Sequence, residues 1–414
     1  MMTRSFLAAC AAVILLTPAA GHARAWIGTW GAAPEPPRAA AGRFPATPSY
    51  DNQTIREVVR IAAGGHRFRI RFTNEYGTKP LVVGAASIAL ADSKGGIAAE
   101  STRPLTFAGE RSVTIPAGSP YLSDPVELDA KPLSKLSISL YLPQDTGPCT
   151  CHGVGLETTE VSGPGNFTDM PFTPKSTSRG RAFISGVEVE TSGPAKTIVA
   201  LGDSITDGVG STADADRRWP DLLADRLAER KGRTEWGMVN MGISGNRVLN
   251  DGAGQSALAR LDRDVLSVPG AAYVIVFEGV NDLGISYGRF TGPLAAAFKS
   301  QAAGGHVTAE QMIAGYRQII DRAHERGLKI FGATIAPYEG AAYYSEEGEA
   351  VREKINQWIR TSGAFDAVLD FDAVMRDRAD PKRIATPLQA GDHLHGSDAG
   401  YEAIARSIDL ALFR

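Results

Sequence analysis

The stretch TIVALGDSIT, residues 197–206, decides how the rest of the chain is read. Ile198, Val199, Ala200 and Leu201 form a short apolar run that stops at Gly202-Asp203-Ser204. A short apolar run closed by a glycine turn predicts a strand buried on both faces of a parallel sheet. Ligands of such sheets bind beyond the carboxyl ends of the strands. Ser204 therefore stands where a nucleophile is wanted. Taken alone, Gly-Asp-Ser is explained as well by an ordinary turn, because Asp and Ser are common turn formers. Segments further along the chain decide between the two readings.

After residue 196 strand and helix signals alternate. Apolar runs predict strands at 239–243, 273–277 (YVIVF), 328–335 and 367–371. Helical patterns fall at 219–231, 256–268, 308–326, 345–361 and 397–412. Pro220 suits a first helical turn, and Thr308 with Gln311 forms a capping box. Five strands alternating with helices imply a parallel sheet covered on both faces.

Four polar blocks fall at or beyond the ends of these strands. They are Gly202-Asp203-Ser204, then NMGISGN at 240–246, then Gly279-Val280-Asn281-Asp282, then Asp392-His393-Leu394-His395 before the last helix. Each alone is a plausible turn; all four, in this order along one sheet edge, are hard to explain as turn chemistry. A serine hydroxyl attacks an ester only when a base removes its proton. Histidine is the side chain best poised for that near neutral pH. Asp392 and His395, three residues apart, can face the same way. The oxyanion formed in such an attack needs fixed donors, which backbone N–H groups and an Asn amide supply.

The blocks resemble those of the SGNH hydrolases, also called the GDSL family, over residues 197–414. The resemblance implies a flavodoxin-like α/β/α domain with Ser204 as nucleophile, His395 as general base and Asp392 as its orienter. It also implies an oxyanion hole made by the Ser204 and Gly245 N–H groups and the Asn281 side chain. The family glycine aligns with Gly245 rather than Gly242, and Gly396 stands where the family usually has Pro. His393 sits beside the pair and competes with His395 for the role of base. Residues 283–307 are long for a strand-to-helix connection and carry Tyr287 and Phe290, so they are read as a mobile flap with these two rings as substrate-binding residues.

Two other motifs fit less well. GVGSTA at 208–213 matches a dinucleotide fingerprint, but helix signals begin only near Trp219, so no helix N-terminus would receive a pyrophosphate. The G-x-S-x-G elbow of α/β-hydrolases is absent around Ser204.

Residues 26–190 read as an all-β sandwich of jelly-roll type, joined by a linker at 191–196 to the hydrolase domain at 197–414. Strands are expected at 54–62, 67–72, 81–90, 112–115, 136–142 and 181–189, with Gly64-Gly65 as a hairpin turn and 162–180 as a loop. Trp26-Ile27-Gly28-Thr29-Trp30 and FTNEYG at 72–77 resemble the first domain of a two-domain secreted bacterial SGNH subgroup, which implies aryl- or acylesterase activity, in some members linked to xylan breakdown. A carbohydrate-binding module and a purely structural sandwich both fit this part.

Residues 1–25 have a basic start at Arg4, an apolar core at 7–16 too short to span a bilayer, and Ala23-Arg24-Ala25 as a cleavage signal. Cleavage after Ala25 removes Arg4 and Arg24 and no acid, which takes the formal charge from −3 to −5. That balance excludes nucleic acid as the main partner, and no later segment is apolar enough for a membrane span. Cys149, Cys151 and His152 lack a fourth ligand in sequence, so a local disulfide or two surface thiols are expected there rather than a metal. The expectation is a secreted or periplasmic serine esterase without metal or organic cofactor, acting on short acyl groups of plant polysaccharide. A lipase or lysophospholipase, a sugar acyltransferase and an idle glycan-binding protein are the alternatives.

Overall fold

Alternating apolar and polar residues build the first part of the chain. The computed structural model describes residues 24–40, 45–92, 95–230, 232, 234–288, 290 and 306–414. The signal peptide expected at 1–25 lies outside them except for Arg24 and Ala25. The main early strands are β1 (Ala25–Gly31), β2 (Gln53–Arg60), β3 (Gly65–Thr73), β4 (Ala85–Leu90), β5 (Lys135–Leu142), β6 (Thr159–Pro164) and β7 (Ile184–Thr191). One antiparallel sheet runs β1-β7-β3, with Pro120–Leu122 and Val126–Ala130 both paired to β3. The other contains β6, β2, β5 and β4 in that order, with Ser176–Ser178 and Arg103–Pro104 at its edges. In β3, Phe68, Ile70 and Phe72 are buried while Arg67, Arg69 and Arg71 remain partly exposed, the period-two pattern of a half-buried strand.

The expected hairpin at Gly64-Gly65 is corrected: β2 and β3 lie in different sheets. The glycines mark a crossing between them, and a Cβ on Gly64 would come within 2.4 Å of Ala130 O. A turn signal fixes where the chain bends, not which strand it then pairs with. The 81–90 run divides into Leu81–Val83 and β4, and the 181–189 run breaks at Phe183, whose φ is +61°. Residues 162–180, read as a loop, contribute the end of β6 and the edge strand Ser176–Ser178. Cys149 and Cys151 form a disulfide with their Cα atoms 5.3 Å apart, and Cys149 is fully buried, so the surface-thiol alternative does not hold.

β7 ends at Thr191 and β8 (Ala195–Gly202) begins four residues later. It is followed by β9 (Glu235–Gly242), β10 (Ala271–Phe277), β11 (Lys329–Ala333) and β12 (Ala367–Leu369). These five strands are all parallel, in the order β9-β8-β10-β11-β12, which is the flavodoxin-like 2-1-3-4-5 arrangement. Ile198, Val199, Leu201, Val274 and Ile275 are at most 1% exposed. Each such side chain contributes about 1.5–3 kcal/mol on burial, so the sheet centre is what holds this half together.

The helices are α1 (Ser204–Asp207), α2 (Trp219–Ala228), α3 (Ala257–Leu261), α4 (Val280–Tyr287), α5 (Ala309–Glu325), α6 (Glu346–Thr361), α7 (Phe371–Met375) and α8 (Asp398–Ser407). α2, α7 and α8 pack together; Trp219 meets Phe371 edge-on, and Phe371 meets Phe277 of β10. α3, α4, α5 and α6 form the other group, where Tyr316 stacks on Trp358. The expected helix at 256–268 divides into α3 and a wider π turn, Asp262–Leu266. The closing helix ends at Ser407, because Asp409 caps a separate short turn, Leu410–Leu412. The strand expected at 367–371 ends at Leu369, because the Asp370 side chain caps α7.

The β-rich part meets the parallel sheet along β1. Gly28 N donates to Pro269 O at 2.8 Å, and Thr197 Oγ1 donates to Gly28 O at 3.0 Å. Ala33 and Ala62 belong to the same buried cluster as the parallel sheet.

Candidate active site

The strand order reverses beside β8, which lies between β9 and β10. Crevices at such switch points are where open α/β sheets bind ligands. The segments following these three strands carry Ser204, Gly245 and Asn281 respectively. The fold therefore brings together three residues that are far apart in sequence.

Ser204 is the first residue of α1, so its N–H has no acceptor within that helix. Asp203 caps the turn by accepting from Ile205 N at 2.9 Å. Burial raises the Asp203 carboxyl, the Ile205 N–H and the His395 ring oppose that rise, and Asp282 adds to it. Gly242 ends β9 directly under α1; a Cβ there would lie 2.4 Å from Asp207 N. Any larger residue would push α1 off the strand end.

His395 and Asp392 come from the loop before α8, whose first turn is capped by Ser397. Asp392 Oδ1 accepts from Leu394 N at 3.0 Å and from His395 N at 2.9 Å. Its other oxygen lies 2.5 Å from His395 Nδ1, and His395 Nε2 lies 2.8 Å from Ser204 Oγ. Partial burial works against the Asp392 charge, but the bonds from His395 and Leu394 prevail and hold the carboxyl well below its usual range. An ionised Asp392 fixes the tautomer that leaves Nε2 free to accept the Ser204 proton.

Gly245 lies in the turn after β9 with φ +82°, a conformation open to glycine. Asn281 sits on α4 and is 5% exposed. Its Nδ2 donates to Asn246 O at 3.0 Å, and its Oδ1 accepts from Tyr343 Oη at 3.2 Å. Because Asn246 O can only accept, it fixes which end of the amide is the NH2, and one Nδ2 hydrogen remains for an incoming oxyanion. Asp282 accepts from Val248 N at 2.8 Å and Leu249 N at 3.2 Å, which pins the loop after Gly245 to α4.

Several expected and unexpected placements stand out. His393 has φ +62°, and its ring packs over Gly340, where a Cβ would approach Cγ to 2.8 Å. Residues 283–287, read as the start of a flap, form the end of α4, and 289 and 291–305 lie outside the described residues. Tyr287 Oη donates to Val307 O at 2.9 Å, and Ser286 Oγ accepts from Val307 N at 3.1 Å, so these residues tie the two ends of that segment together. Phe290 packs against the main core. Tyr343 and Asp207 carry site contacts that sequence reasoning missed, Asp207 with a signal one helical turn after Ser204; Asn246 lies in the second block, without a role assigned to it there. Among the described residues no cluster of His, Cys, Asp or Glu could hold a metal ion.

A serine, a histidine and a carboxylate stand in one hydrogen-bonded line at a sheet switch point, the arrangement by which serine hydrolases activate a nucleophile. Residues 200–403 match the GDSL-like Lipase/Acylhydrolase family. For this part of the chain the match supports the SGNH superfamily and a carboxylic ester hydrolase. Solved structures similar to the chain include a GDSL-like lipase from Bacteroides thetaiotaomicron at 16% identity, covering 52% of this chain and 87% of that one, with a TM-score of 0.38. The lipase/acylhydrolase from Enterococcus faecalis is 18% identical over 51% of this chain and 92% of its own, with a TM-score of 0.37. An acetyl xylan esterase from Geobacillus stearothermophilus is 20% identical over 52% of this chain and 93% of its own, with a TM-score of 0.39. No curated protein matches the chain. Among the described residues no helix is long and apolar enough to cross a membrane.

Proposed function

We propose that the chain is an exported serine esterase that works through an acyl-enzyme, with Ser204 as nucleophile, His395 as general base and Asp392 as orienter. The observation that carries this reading is the unbroken line from Asp392 through His395 to Ser204, at 2.5 and 2.8 Å. As Ser204 Oγ attacks the ester carbonyl, His395 Nε2 takes its proton and then returns it to the leaving alcohol. A water molecule, activated by the same nitrogen, releases the acid. The N–H groups of Ser204 and Gly245 and Asn281 Nδ2 receive the oxyanion, one such donor being worth about 3–4 kcal/mol.

The proposed organisation is a signal peptide at 1–25, a β-sandwich at 26–190, a linker at 191–196 and the hydrolase at 197–414. Export is supported by the Ala23-Arg24-Ala25 signal and by the Cys149–Cys151 disulfide, a bond that persists in oxidising compartments. The proposed substrates are short acyl esters, acetyl above all, on plant polysaccharide; support comes from the resemblance of residues 26–30 and 72–77 to the secreted two-domain subgroup. A panel of nitrophenyl esters from acetate to long chains, run beside acetylated xylan, tests it. The reading expects the highest kcat/KM with acetate and release of acetic acid from the xylan. Activity confined to long chains would favour the lipase alternative instead.

A further inference from the structure

A buried ionic contact joins the β-rich part to α1. His152 sits on the short strand Cys151–His152, which pairs with Arg181–Ala182, and is 4% exposed. Its Nε2 lies 2.9 Å from Asp207 Oδ1. Its Nδ1 lies 3.0 Å from Ala33 O and 3.3 Å from a Glu35 oxygen. A carbonyl and carboxylates can only accept, so both ring nitrogens donate and the ring is an imidazolium. Glu35 also accepts from Gly153 N at 2.7 Å, and the Cys149–Cys151 disulfide closes the backbone just before the histidine. The ring is thus held in place from its own side.

The other side of Asp207 faces the reaction. Its Oδ2 accepts from Ser244 N at 3.1 Å and from Ser244 Oγ at 2.6 Å. Ser244 immediately precedes Gly245, and Asp207 is the last residue of the single turn that begins with Ser204. One carboxylate therefore connects the β-rich part, the helix that carries Ser204 and the turn that carries Gly245.

We propose that His152 is a positioning residue of the esterase: through Asp207 it holds the Ser244–Gly245 turn against α1, so that the β-rich part of the chain completes the oxyanion site. The proposal rests on the esterase reading above. It gives the β-rich part a role in turnover that neither glycan binding nor simple edge burial would require. An N–H donor contributes only when it is aimed where the oxyanion forms. A loosened turn should therefore lower kcat while substrate binding stays as it was.

The test uses the full chain with His152→Gln, which keeps a donor toward Asp207 but removes the charge, and Ser244→Ala, which releases the turn from the opposite end. Each is measured on nitrophenyl acetate, with active sites counted by a serine-directed phosphonate. The expected result is a fall in kcat per titrated site of about ten-fold or more for His152→Gln and several-fold for Ser244→Ala, with KM within two-fold. The double variant should lose little more than His152→Gln alone, because both act through Asp207. If His152→Gln does not fold, Ser244→Ala decides alone. Unchanged kcat per titrated site, with only stability or active fraction reduced, makes the contact structural and overturns the proposal alone. A wild type that neither hydrolyses the ester nor takes the label overturns the esterase reading, and this proposal with it.

Discussion

The Tyr343 hydroxyl donates to Asn281 Oδ1 at 3.2 Å, while Asn281 Nδ2 donates to Asn246 O at 3.0 Å. The amide is held from both ends, and its direction is set before substrate arrives. Asn281→Ala is expected to lower kcat about a hundred-fold or more with little change in KM. Tyr343→Phe leaves the Asn246 bond in place, so a smaller loss of kcat, again at constant KM, is expected. Steady-state kinetics on one ester decides: a pure KM effect in either variant would make Asn281 a substrate-binding residue instead.

The two histidines of the last block should separate sharply. His395→Ala should abolish turnover as completely as Ser204→Ala, and combining the two should add little, since they act as one unit. Asp392→Asn should be milder than either, because this side chain orients and stabilises the ring without touching the substrate. His393→Ala should keep substantial activity, since its ring packs over Gly340. Exchanged outcomes for the two histidines, read as kcat/KM, would overturn the assignment.

Stability should respond to the His152–Asp207 pair. Burial alone would lower the His152 pKa, but the Asp207 and Glu35 carboxylates outweigh it and push it up to about 9. Glu57 from β2 also faces this ring. Because the folded value is raised, the contribution is fully present below the unfolded value of about 6.5 and is lost as pH rises through about 9. Its size is on the order of 3 kcal/mol at most. Urea midpoints measured between those limits should fall more steeply for wild type than for His152→Gln. Equal slopes would show that the pair does not carry a charge.

Removing the Cys149–Cys151 disulfide should cost little global stability. The closed ring spans only Cys149 to Cys151, and loop-closure stabilisation grows with loop length, which places the effect toward the low end of the ~0–5 kcal/mol range. Thermal denaturation of a Cys149→Ala, Cys151→Ala variant checks this; a fall in Tm of tens of degrees would contradict it.

How far the sequence could be read follows from the range of each signal. TIVAL and YVIVF are continuous apolar runs, and both became central strands, β8 and β10. The Thr308–Gln311 capping box is formed as its spacing required. These are local signals, complete within a few residues. The pairing of β2 and β3 is not local, and Gly64-Gly65 could show only that the chain turns. Strand β1 was legible only as Trp26–Trp30 resemblance, because its partner β7 lies some 160 residues away. The same distance hides the site's supports. His152 stands in sequence beside Cys149 and Cys151, where a metal site is weighed and set aside, and nothing near it points to Asp207. The aromatic character of Tyr287 and Phe290 is legible in the sequence, but their partners, Val307 O and the main core, depend on contacts outside the local pattern.

Ser204, activated by His395, is expected to attack the ester. The most direct measurement is intact-mass and peptide mapping of the protein after reaction with a serine-directed phosphonate, in wild type, Ser204→Ala and His395→Ala. The account predicts one adduct, on the peptide containing Ser204, formed far more slowly in His395→Ala and absent in Ser204→Ala together with esterase activity. An adduct on another residue, or full hydrolysis by Ser204→Ala, would contradict it.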